Sequence, residues 1–97
     1  MTENYSRYDS ADYLKTPEDI EAYLAAVIEE SSEDLPTHFV HALGVVARAK
    51  GMTVVAQDTG LTREGLYKAL NQNGNPSFGT IIKVLKALGL RLELKAA

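Results

Sequence analysis

The sequence predicts an all-α fold of five helices, preceded by an N-terminal arm and followed by one short C-terminal strand. Three observations lead there. Apolar residues recur at i, i+3, i+4 and i+7 in separate segments, the period of a helix with one buried stripe. Between residues 53 and 72, two shorter segments, each with its own capping residue, flank a glycine. The last residues alternate apolar and charged side chains with period two, as a half-buried strand does.

The elements follow in chain order. Residues 2–15 are polar, carry Tyr5, Tyr8 and Tyr13, and show neither period. They read as an arm loosely ordered alone, with Tyr8, Tyr13 and Leu14 as side chains that dock elsewhere. In the first helix Thr16 can cap, Pro17 suits the first position, and Glu18, Asp19 and Glu21 complement the helix dipole. Its stripe is Ile20, Tyr23, Leu24, Val27 and Ile28, and it ends near residue 31. The second helix runs from about Pro36 to Lys50, with Phe39, Leu43, Val46 and Ala47 inward and Gly51 closing it. Thr53 is expected to cap a short third helix that stops near Gly60, and Thr62 a fourth that reaches Asn71. The turn formers Asn73, Gly74, Asn75 and Pro76 make a loop. Ser77 starts the fifth helix, whose Phe78, Ile81, Ile82, Leu85 and Leu88 face inward and which Gly89 ends. The strand is Leu90 to Leu94, with a helical extension as the alternative. A lone strand cannot satisfy its own backbone groups, so it is expected to pair with a second copy or a partner chain.

Composition narrows the function. Ninety-seven residues, 45% of them hydrophobic, suffice for one core and not for two. With no cysteine, disulfides, thiolate nucleophiles and Cys-based zinc sites are excluded, which fits a reducing cytoplasm. No apolar run is long enough for a membrane span, and the first residues lack the basic and apolar regions of a signal peptide. A soluble, cytoplasmic protein with no membrane partner is expected. The net charge of −3 hides a division. Residues 1–35 hold ten carboxylates against two cations, and residues 36–97 hold eight cations against three carboxylates. The chain therefore divides into an acidic arm and helix, 1–35, and a basic part, 36–97. Such asymmetry suggests two surfaces with different partners, one of them polyanionic; chance segregation is the plainer alternative.

Residues 52–70 carry the most specific pattern. A helix-turn-helix needs a small residue where its helices meet, here Ala56, and a residue that tolerates positive φ four positions later, here Gly60. It also needs buried aliphatics on both sides of the turn, here Val55, Leu61, Leu66, Ala69 and Leu70. The opposite face then presents Thr62, Arg63, Glu64, Tyr67, Lys68 and Asn71. Arg63 could reach guanine O6 and N7 in the major groove, and Glu64 could accept from cytosine N4 or orient Arg63. Tyr67 and Lys68 suit phosphate, as do Lys50, Thr53 and the backbone of residues 74–77. Two short helices about a glycine also occur in ordinary bundles.

From Ala42 to Met52, then Gly60 to Leu70, Gly74 to Phe78 and Leu85 to Leu90, the sequence resembles the addiction-module antidote proteins. These are HigA-like antitoxins of type II toxin–antitoxin pairs, with a Cro/repressor-like helix-turn-helix domain. The stretch from Asp9 to Leu14 before Pro17 and Glu18 is similar to the same family's N-terminal segment. The resemblance implies a protein that binds and neutralises a small RelE/ParE-like toxin and represses its own operon, usually as a homodimer on double-stranded operator DNA. It also implies recognition-helix roles for Thr62, Arg63, Glu64, Tyr67 and Lys68. Two positions depart from the pattern. Met52 stands where many such helix-turn-helices have a phosphate-contacting Gln, a contact Met cannot make. Gly65 stands where Ala is usual, at about 0.5–1 kcal/mol of helix stability.

Toxins that bind RNA are basic, so the acidic residues 1–35 are the expected toxin-contacting segment. Tyr8, Tyr13, Leu14, Tyr23, Leu24 and Val27 are its candidate contacts, although the helical stripe could equally pack on its own domain. An enzyme is the rival from another class. His38 and His41 lie three apart, but no third ligand or nucleophile accompanies them, and no cofactor motif is present. A stand-alone phage-type repressor without a toxin is the other alternative, together with an interaction domain that has lost DNA binding. Whether a neighbouring gene encodes a small basic protein separates the antitoxin from the stand-alone repressor.

Overall fold

The computed structural model describes residues 14–30, 33–71 and 73–97. Among them are five helices: α1 (Pro17–Glu30), α2 (Leu35–Lys50), α3 (Met52–Thr59), α4 (Arg63–Ala69) and α5 (Phe78–Ala87). No strand occurs among the described residues, and residues 90–97 run outside regular structure. Among the described residues the period-two tail is therefore not a strand, and none of them offers its backbone a neighbouring strand to pair with.

Local chemistry sets most helix ends. The Thr16 hydroxyl accepts from the Asp19 N–H at 3.1 Å. The Thr62 hydroxyl accepts from Gly65 at 2.9 Å and the Ser77 hydroxyl from Thr80 at 3.1 Å. The expected cap at Thr53 is not formed. Gly51, at φ 115°, both closes α2 by donating to the Ala47 carbonyl and opens α3 by accepting from Val55. Thr53 thus lies inside the first turn of α3. The chain bends by 108° between α2 and α3, and no single helix is long and apolar enough to cross a membrane. Gly60, at φ 76°, ends α3 in the left-handed conformation expected of it. α4 stops at Ala69, two residues short of Asn71.

One core joins all five helices. Leu43 and Val46 from α2, Val55 from α3, Leu66 from α4 and Val84 from α5 are fully buried, with Leu70 and Leu88 at the helix ends. Leu14, Ile20 and Leu24 belong to the same cluster. The interior therefore crosses residue 35, and the acidic and basic parts of the chain differ in surface charge rather than in core. Along α5 the buried positions are Val84, Leu85 and Leu88, with Ile81 packed beside them. Phe78, expected inward, is 66% exposed, because the first turn of α5 extends past the core's edge.

Candidate nucleic-acid interface

α4 shows its polar face to solvent. Leu66 is fully buried, Gly65 and Ala69 are half-buried, and Thr62, Arg63, Glu64, Tyr67 and Lys68 are all exposed. This follows from the seven-residue helix burying one side against the core, which leaves the other side facing solvent. At the last residue of α3, just before the three-residue connection to α4, Thr59 is buried. Its hydroxyl donates toward the Val55 carbonyl at 2.8 Å and lies 3.1 Å from that of Ala56, while accepting from the Leu61 N–H at 3.3 Å. That hydroxyl ties the end of α3 to the turn, which holds α4 in place. Sequence reasoning passed over Thr59, since an isolated threonine near a helix end carries no periodic signal.

The Arg63 guanidinium sits 5.6 Å from the centre of the Tyr67 ring, one helical turn along, a cation–π contact that orients the charge. The two side chains share an open cleft of about 400 Å³ with Arg48, Gly51, Met52, Thr53 and Val54. Of the residues expected to meet DNA, the cleft brings together Thr53, Arg63 and Tyr67. Thr62, Glu64 and Lys68 lie along the same helix. Asn71 lies beyond its end, with its Oδ1 accepting from the Asn73 N–H at 2.7 Å, so that oxygen serves the loop. Lys50 points elsewhere, donating to the Ala87 carbonyl at 2.8 Å and so capping α5. Met52 is buried, as its apolar side chain requires. Arg48 was not among the expected residues. The last turn of α2 is a place where any cation suits the helix dipole, and that ordinary role concealed its second position beside Arg63.

The candidate toxin contacts divide differently. Tyr8 and Tyr13 lie outside the described residues. Leu14 and Leu24 are each only 4% exposed and form part of the core, which corrects their assignment to a docking surface: their area is already spent on folding. Tyr23 and Val27 are half-buried against that core and keep one side outward. Burial raises the Tyr23 phenol above its ordinary pKa, and the nearby Arg48 charge opposes that shift. His38 and His41 are exposed on α2.

Residues 4–96 match the family described as "Probable addiction module antidote protein". The chain belongs to this family. A protein of Haemophilus influenzae described as uncharacterized is 43% identical over 95 residues, covering 98% of this chain and 95% of that protein. No solved structure matches the chain. The family match spans both the acidic N-terminal part and the exposed face of α4.

Proposed function

We propose that the chain is a HigA-like antitoxin of a type II pair, built on a Cro/repressor-like helix-turn-helix. It binds and neutralises a small basic RelE/ParE-like toxin and, as a homodimer, represses its own operon in the cytoplasm. The observation that carries this reading is the family match across residues 4–96, which takes in both oppositely charged parts of one small domain. On the DNA side, the second helix of the pair enters the major groove of the operator. Arg63 reads a guanine edge while Lys68, Thr53 and Arg48 meet phosphates. On the toxin side, the acidic surface of α1, with the outward sides of Tyr23 and Val27 and the arm residues Tyr8 and Tyr13, faces the toxin's RNA-binding surface. In this reading the chain has no catalytic site and needs no cofactor.

Co-expression with the adjacent open reading frame tests it. Rescue of growth and co-purification are expected, together with sequence-specific binding of the purified protein to the DNA upstream of the pair. Specific DNA binding without any rescue would instead make the chain a stand-alone phage-type repressor. Absence of both results would overturn the reading altogether.

A further inference from the structure

The C-terminal tail is left incomplete by the fold. After the Leu90 N–H donates to the Leu85 carbonyl, residues 91–97 make no backbone–backbone hydrogen bond among the described residues. Leu92 is 52% and Leu94 92% exposed, and Ile28 on the neighbouring α1 is 48% exposed. Between α1 and the tail lies an apolar groove of about 670 Å³, lined among others by Leu24, Ile28, Phe39, Leu85, Leu90 and Leu92. On an extended tail the three leucines share one face, while Arg91 and Glu93, joined by a 2.8 Å ion pair, share the other.

We propose that two copies of the chain pair their tails as antiparallel strands about a two-fold axis at Leu92, with the leucine face closing the groove of each copy. The pattern suits a second copy because it is complementary to itself in one register. Centred on Leu92, Leu90 meets the other copy's Leu94, Leu92 meets its own equivalent, and Arg91 meets Glu93 twice. A slip of one residue sets leucine opposite a charge. A slip of two sets Arg91 against itself or Glu93 against itself, and parallel pairing does both. An isolated two-stranded ribbon is marginal in water, so the groove matters: it supplies the apolar burial that the ribbon alone lacks. The unpaired tail edge is covered by the same step. This deepens the homodimer of the proposed function by naming its surface.

Analytical ultracentrifugation of the full chain, without DNA or toxin, tests the pairing. A dimer is expected, and Leu92→Glu, which sets two carboxylates together on the axis, should leave a monomer of unchanged helicity. Arg91→Glu alone and Glu93→Arg alone should each weaken dimerisation roughly tenfold, and the double exchange should restore it. That restoration is specific to this register. A dimer that Leu92→Glu leaves intact would overturn the tail pairing while preserving the homodimer. A monomeric wild-type chain at high micromolar concentration would overturn both, whatever its DNA or toxin binding.

Discussion

A β-carbon on Gly44 would stand 2.7 Å from the Leu70 carbonyl oxygen, closer than backbone atoms approach without moving. α2 and the end of α4 touch at this point, so Gly44→Ala is expected to cost about 1–3 kcal/mol by overpacking, seen as a lowered thermal midpoint. If α4 reads the operator as proposed, Arg63→Ala should relax base preference at about 1–3 kcal/mol, whereas Lys68→Ala should weaken all DNA sequences alike and reduce the salt dependence. Titration of operator and scrambled duplexes distinguishes the two. Tyr23 supplies a pH dependence. Its folded pKa lies above the unfolded value near 10, so the folded state holds the proton more tightly. Stability is then full below about pH 10 and falls as pH rises beyond it. Denaturation curves at alkaline pH should show a smaller loss for Tyr23→Phe. Leu14 shows where single residues resist sequence reading. A leucine among polar neighbours has no periodic partner, so nothing in the sequence distinguishes a core residue from a docking one.

At the level of elements, the caps at Thr16, Thr62 and Ser77 were legible because each depends on a side chain and an amide three residues away. The start of α3 was not. Gly51 serves two helices at once, and only the bend between α2 and α3 determines that its carbonyl, rather than Thr53, begins the next helix. Thr59→Val keeps the shape of the α3–α4 turn but removes its hydroxyl bonds. It is expected to cost about 1–2 kcal/mol in chemical denaturation, with DNA binding reduced as α4 loosens. The C-terminal end of α1 bears on the proposed toxin contact. Glu29 and Glu30 occupy its last residues with no cation in that turn, against the direction the helix dipole favours. Glu29→Lys should therefore raise stability by about 0.3–1 kcal/mol and yet, under the proposed function, slow association with a basic toxin. A gain in stability with unchanged toxin association would remove this end of α1 from the interface.

At the scale of the whole molecule, two surfaces of opposite sign rest on one interior. Removing residues 1–34 would also remove Leu14, Ile20 and Leu24 from the core, so toxin binding lost on that deletion would reflect unfolding. Removing residues 1–13 keeps those three side chains and tests the arm directly: weaker toxin capture with an intact thermal transition is the expected result. The amino-acid order by itself determined the five helices, the turn at Gly60, the polar face of α4 and the separation of charge, because each is a local or periodic property of consecutive side chains. Only the tertiary structure decided that Leu14 and Leu24 are spent on the core, that Lys50 caps α5 and that Arg48 joins Arg63 and Tyr67 at one cleft. These depend on which distant segments meet, and that is settled by how the buried stripes of separate helices pack together.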